Sequence, residues 1–158
     1  GGILLVTQDK AGKPNAMTIG WGFLGTIWRN PFFIVAVRHS RHTFKNLEET
    51  NSFTVCLPAV NMEKVLETCG SKSGRDMDKF SELGLTAVKS EKVETPYIEE
   101  SPLHYECQIV YSHDLRPEDL PEELRGSIYS SGDIHKLYFG EVKGVYAVKD
   151  VAQKLPED

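Results

Sequence analysis

Apolar and polar positions change rhythm along this chain, and each rhythm predicts an element. Gly2 to Thr7 (GILLVT) is an apolar run that predicts a strand, and Gln8 to Pro14 reads as a polar turn. From Ala16 to Phe23 the pattern alternates. Met17, Ile19, Trp21 and Phe23 fall on one face, and Ala16, Thr18, Gly20 and Gly22 fall on the other, which is the period of a strand. After Phe23 the bulky residues change parity to Leu24, Thr26 and Trp28, which predicts a bulge near Gly25. Asn30-Pro31 predicts a turn. Phe32 to Val37 (FFIVAV) is apolar throughout and predicts a strand buried on both sides.

Downstream the rhythm shifts between helix and strand. Phe44 to Thr50 predicts a short helix, started by a cap at Ser40 or Thr43. Ser52 to Leu57 predicts a strand stopped by Pro58, and Asn61 to Thr68 a helix burying Met62, Val65 and Leu66. Cys69 to Phe80 reads as a Gly/Ser loop entering a second short helix, and Leu85 to Val93 as a weak strand or two. Leu103 to Tyr111 alternates, with Cys107 on the apolar face. Arg116 to Gly126 is an acidic, Pro-rich excursion with room for one helical turn. Ile134 to Val148 predicts a bent strand or a hairpin around Gly140 and Gly144, and Lys154 to Asp158 a frayed polar tail. Six or seven strands with a few short helices, and no strand–helix alternation, predict one mainly β domain over residues 1–158, built as a small antiparallel barrel.

Two segments of the first third carry chemistry as well as shape. Glycines on a strand face admit either a ligand or a closely packed neighbouring strand. The segment Arg38 to Thr43 (RHSRHT) enters a helix. It is either an ordinary capped start or an anion site, where free backbone N–H groups, two arginines and two hydroxyls converge. Lys79 is open in the same way, as a solvated lysine beside Asp76 and Asp78 or as a cation reaching an anion.

Composition narrows the choice. A net charge of -5 is unlike the basic footprint of a nucleic-acid binder, and no apolar run reaches the ~20 residues that span a bilayer. The apolar opening lacks a basic leader and a cleavage site, so no signal peptide is expected. Three cysteines (Cys56, Cys69, Cys107) without a CxxC predict free thiols in a reducing cytoplasm. Cys69, beside Gly70-Ser71 in an expected exposed loop, is the candidate for a reactive thiol. His39 and His42 are three apart, but no HExxH or fitting carboxylate accompanies them, so no metal is expected. No GxSxG elbow supports a serine hydrolase. The letters GWGFLG (Gly20 to Gly25) match a dinucleotide fingerprint, yet they lie inside an alternating strand with no helix after them.

The runs NAMTIGWG, VRHSRHTFKNL, CGSKSGRDMDKF and HKLYFGEV, with Asn-Pro before an apolar strand, occur in an order and spacing that resemble the flavin reductase-like family of FMN-binding split barrels, the relatives of flavoredoxin. The resemblance covers roughly Gly2 to Val145. It implies a six-stranded antiparallel Greek-key split β-barrel with a few short peripheral helices, usually a homodimer with FMN near the interface. It implies a flavin ring against Asn15, Ala16, Met17, Thr18, Gly20 and Trp21, with the Thr18 hydroxyl and backbone N–H groups at the N5 and O4 edge. It places the phosphate by Arg38, Ser40, Arg41 and Thr43, with help from Cys69, Gly70, Ser71 and Lys79. His135 matches a histidine near the open flavin face and is the catalytic candidate. The activity implied is an NAD(P)H-dependent flavin reductase, with NADH or NADPH as reductant. Its electron acceptor would be free flavin, a partner oxygenase, a ferric complex or another redox protein. The alternative is a flavoredoxin-like carrier that does not itself oxidise nicotinamide. The apolar Trp28 region is the candidate dimer surface.

Overall fold

A computed structural model describes residues 2–156. The chain opens with β1 (Ile3–Gln8), β2 (Pro14–Ile19), β3 (Gly22–Ile27) and β4 (Asn30–Arg38). Next come α1 (His42–Glu49), β5 (Ser52–Leu57), α2 (Glu63–Ser71) and α3 (Lys79–Leu83). The short strands β6 (Ala87–Val88) and β7 (Tyr97–Ile98) pair with each other before β8 (Leu103–Asp114). The chain closes with α4 (Glu122–Ile128), β9 (His135–Ala147) and α5 (Val151–Lys154).

The main sheet is antiparallel, in the order β2-β1-β5-β8-β9-β4-β3. Strands β2 and β3 are neighbours in sequence and lie at opposite ends of that order, so the sheet must curl round on itself. At the join, the Ala36 amide donates to the Trp21 carbonyl at 3.2 Å. The expected mainly β antiparallel architecture is present, with seven strands in the main sheet where six were expected. The extra strand comes from Ala16 to Phe23. The run stays extended but changes partner at Gly20-Trp21, from β1 to β4, and so forms two strands.

The hydrophobic interior has two parts. Leu5, Ile19, Val35, Val37, Phe53 and Tyr138 fill the barrel. Leu4, Val6, Ala16, Cys56, Cys69 and Phe80 pack between the sheet and α2 and α3. β1 therefore contributes to both, which is why its sequence is continuously apolar. β4 is buried from Phe32 to Val35, as its FFIV run predicts.

Several local expectations are corrected. The β3–β4 turn is Trp28-Arg29, both at positive φ (50° and 68°), and Asn30-Pro31 already belong to β4. This two-residue loop has left-handed backbone at both positions, which suits the twist of a hairpin but is unfavourable for side chains other than glycine. No bulge occurs at Gly25, because the β3–β4 register is continuous. The parity slip reflects a strand exposed on both faces, with no buried face to enforce alternation. The irregularities lie in β8, at Glu106/Cys107 and Ile109/Tyr111. Neither Ser40 nor Thr43 caps α1. α2 continues through Ser71, so Cys69-Gly70-Ser71 is a last helical turn rather than a loop. Cys69 is buried, and burial pushes its thiol up, which removes it as a reactive thiol. Only Ala87–Val88 forms a strand within Leu85 to Val93, the excursion from Arg116 holds a 3-10 turn before α4, and β9 is one continuous strand. Of the expected frayed tail, Lys154 ends α5, and Glu157 and Asp158 lie outside the described residues.

Candidate functional site

The site follows from the partner change at Gly20-Trp21. Because β3 leaves β2, the outer edge of β2 has no strand beside it, and its backbone polar groups on that side need other partners. Lys79, the first residue of α3, supplies one. The residue is 4% exposed, and its ammonium donates to the Ala16 carbonyl at 2.8 Å and the Cys69 carbonyl at 3.1 Å, tying α2, α3 and β2 together. Burial lowers its pKa, with Arg41 pushing the same way. The alternating pleat puts the backbone N–H and C=O of Thr18 on the same edge as those of Ala16.

Beside that edge opens a cavity of about 180 Å³. Its apolar lining residues are Met17, Ile19, Trp21 and Ala36, of which Ile19 turns its side chain into the barrel core. The polar lining is made by the α1 entrance, the α2 terminus and the loop from Lys72 to Arg75. Of the expected site residues, Asn15, Met17, Thr18, Trp21, Arg38, Ser40, Arg41, Thr43, Cys69, Gly70, Ser71 and Lys79 all line it. Ala16 does not. Its side chain packs with the α2–α3 cluster, and its carbonyl is taken by Lys79. His135 does not line the cavity either, and lies behind Trp21 with ring centroids 4.5 Å apart.

Several groups are already engaged. The Thr18 hydroxyl donates to the Leu66 carbonyl at 2.6 Å, so toward a ligand Thr18 offers backbone rather than the hydroxyl proton. The Asn15 amide donates to the Thr43 hydroxyl oxygen at 2.9 Å, which leaves the Thr43 proton free for the cavity. Arg38 donates to the Asp133 and Ile128 carbonyls, and its guanidinium lies 5.3 Å above the Tyr129 ring. Ser40 donates to Asp133 through its backbone amide and its hydroxyl. These bonds hold Asp133 below its ordinary carboxyl pKa against the opposing effect of burial.

Sequence reading missed Lys72, Arg75 and His42, which also line the cavity. Arg75 donates to the Ser40 carbonyl at 2.9 Å, bridging the loop to the α1 entrance. His42 has its pKa lowered by burial and by Arg75. Their signal was present in KSGR, where two cations flank a Ser-Gly pair. Gly74 is required there, since a Cβ would come within 2.7 Å of His42 Cδ2. The glycines of the β2–β3 run divide. A Cβ at Gly22 would meet the Ile34 carbonyl oxygen at 2.8 Å, the close approach of a paired strand. A Cβ at Gly20 would meet nothing within 4 Å and would enter open space at the cavity.

The electrostatic character is one-sided. Arg38, Arg41, Lys72, Arg75 and Lys79 line the cavity and, among the described residues, no carboxylate does, in a chain whose net charge is -5. Such a concentration of donors and positive charge selects an anion. The partly exposed Trp21 indole among the lining suits a flat ring.

A family model described as "Flavin reductase like domain" matches residues 1–156. An uncharacterised protein of Archaeoglobus fulgidus is 35% identical over 98 residues, which is 62% of this chain and 55% of that protein. An uncharacterised protein of Pyrococcus abyssi is 29% identical over 111 residues, 70% of this chain and 62% of its own. The chain therefore spans less than two thirds of the length of these curated relatives. Among solved structures, flavoredoxin of Desulfovibrio vulgaris (Miyazaki F) aligns with a TM-score of 0.75 at 25% identity, covering 99% of this chain and 75% of that one. Flavoredoxin from Methanosarcina acetivorans aligns with a TM-score of 0.74 at 27% identity, covering 98% and 74%. An FMN-binding protein from Thermus thermophilus shares the fold, with a TM-score of 0.73 at 18% identity over 99% of this chain and 76% of its own.

Proposed function

The chain belongs to the flavin reductase like domain family, and from that premise we propose that it binds flavin mononucleotide and uses it to take hydride from NADH or NADPH. The observation that carries this reading is the cavity with five lining cations, no carboxylate among the described residues and the Trp21 indole in its wall, the complement of a phosphorylated flat ring. Bound flavin supplies the two-electron chemistry, and the protein supplies binding, orientation and exclusion of water.

Arg41, Thr43 and the α1 amides would hold the phosphate, with Ser40, bonded to Asp133, lining the cavity beside them. Arg38 and Arg75 add charge from fixed positions, because each is already anchored to carbonyls on one side. The free edge of β2 presents backbone groups of Thr18 to the polar rim of the ring. Cys69, Gly70 and Ser71 close the cavity from the α2 side, with Lys79 beneath them.

The cavity is smaller than the ~300–1,000 Å³ of pockets that enclose a whole small molecule, so a flavin held here would project from its mouth. Trp21 at the cavity, Phe23 and Leu24 on β3, and Trp28 in the turn after it are 46%, 56%, 52% and 65% exposed, along a strand that ends the sheet among the described residues. We propose that a second copy of the chain covers this edge as a homodimer and completes the cover of the ring. The unpaired, buried thiols suit a reducing compartment. The electron acceptor is a free flavin, an oxygenase partner, a ferric complex or a redox protein.

Titration with FMN and with riboflavin, followed by anaerobic addition of NADH and of NADPH, tests the reading. Expected are FMN binding that weakens with salt, riboflavin binding weaker by about 10–100-fold for want of charge-assisted bonds, and bleaching by at least one nicotinamide. A protein that takes up no FMN rejects the proposal. Binding without bleaching by either reductant leaves an electron carrier.

A further inference from the structure

Resting on the flavin reading above, we propose that Tyr129 and His135 form a positioning pair that holds Trp21 as a wall of the pocket, and that His135 is not itself a reacting group. Trp21 lines the cavity on one side and packs on the His135 ring on the other, with planes tilted by 34°. His135 is 7% exposed, and its Nδ1 lies 2.9 Å from the Tyr129 hydroxyl. Tyr129 is itself fixed. Its ring sits under the Arg38 guanidinium, and the segment around it is tied down by the Arg38 bonds to the Ile128 and Asp133 carbonyls.

The chemistry of the pair assigns the tautomer. The direction of the bond depends on the tautomer; the phenol, the stronger acid of the two, is taken as the donor to Nδ1, which puts the proton of the neutral ring on Nε2. Burial and the neighbouring Arg38 push His135 down to about 4, against the pull of Asp133 and with a further push from Arg41. At neutral pH the imidazole thus has no free basic nitrogen and no readily lost proton. What remains is a flat, hydrogen-bonded plate behind an indole. Trp21 comes from the β2–β3 join and Tyr129 from the end of the excursion after β8, so the column ties that excursion to one wall of the pocket without lining it.

The test uses a Trp28→Phe background, which leaves Trp21 as the sole indole. Its emission is followed against pH in the flavin-free protein, and the Kd for FMN is measured separately. Without the Tyr129 hydroxyl, Nδ1 is open to protonation, and a protonated imidazole quenches a stacked indole. Because burial and Arg38 remain, Tyr129→Phe is expected to move the parent's quenching step, near pH 4, upward by only about 0.7 of a unit, and to weaken FMN about 5-fold, the worth of one neutral hydrogen bond. His135→Gln is expected to show no step and to weaken FMN to a similar degree. Tyr129→Phe with an unaltered pH profile and Kd would overturn the pairing. His135→Gln with parental FMN affinity but flavin reduction slower by about 100-fold would make His135 a reacting group and overturn the positioning role. The pH step is read without flavin, so a chain that binds no FMN would reject the cofactor alone.

Discussion

β2 and β3 are consecutive strands of six residues each, separated only by Gly20-Trp21, and they meet opposite fates. β2 is covered on both faces. The barrel interior takes Ile19, and α2 and α3 take Ala16. Thr18 is bonded to Leu66, and the Ala16 carbonyl to Lys79. β3 has the more hydrophobic side chains, yet Phe23 and Leu24 stay more than half exposed and its outer edge has no partner. What separates the two is whether a distant piece of chain comes back to cover the strand. Where one does, a free edge becomes a polar, anchored cavity wall. Where none does, an apolar hairpin is left open to a second molecule.

The largest expected effect lies on the covered side. Lys79→Ala removes the tie among β2, α2 and α3, leaves two carbonyls unpaired and opens a cavity. It is expected to destabilise the fold by about 3 kcal/mol in denaturant unfolding. Unchanged stability would mean that β2 is held by apolar packing alone.

An intermediate effect is expected at the join between the two strands. Unfolded His135 takes up a proton near pH 6.5, whereas in the folded chain it does so only near about 4. Across that window the unfolded state binds more protons, so stability falls as pH drops, by on the order of 2 kcal/mol from this residue. Comparing His135→Gln with the parent isolates its share of the slope, and parallel pH–stability curves would contradict the buried, neutral ring.

The smallest effect on stability is expected at the bare strand. Phe23→Ser with Trp28→Ser should change the unfolding free energy of the monomer by less than about 0.5 kcal/mol, because both side chains are largely in solvent. It should abolish self-association in sedimentation at micromolar concentration. A double variant that stays dimeric would move the interface elsewhere.

Much of this was legible in the sequence. FFIVAV read as a doubly buried strand, and the basic, hydroxyl-bearing RHSRHT before a helix was legible as either a capped start or an anion site. Other features were not. Alternation in Ala16 to Phe23 continues through a change of partner, because a strand keeps its side-chain period whichever neighbour it bonds. Trp28-Arg29 gave no turn signal, since neither residue favours left-handed backbone. Gly70-Ser71 looked like a loop, but the hydrogen bonds of α2 run through them. Lys79, between Asp78 and Phe80, reads as solvated, and only the orphaned edge of β2 gives it carbonyls to bind. His135 looked accessible because nothing near it in sequence announces that Trp21 will lie on top.

The sequence by itself determined the local periods, the apolar content of each strand, the cations near a helix start and the family. These depend on neighbouring residues and on motifs read in order. Tertiary structure decided which strand faces are covered, which cations are anchored and which face the cavity, and that His135 stands behind the wall. Those outcomes depend on contacts between residues tens of positions apart, such as Lys79 with Ala16 and Arg38 with Asp133. Burial and hydrogen bonding are properties of such pairs, and no single stretch of chain contains both partners.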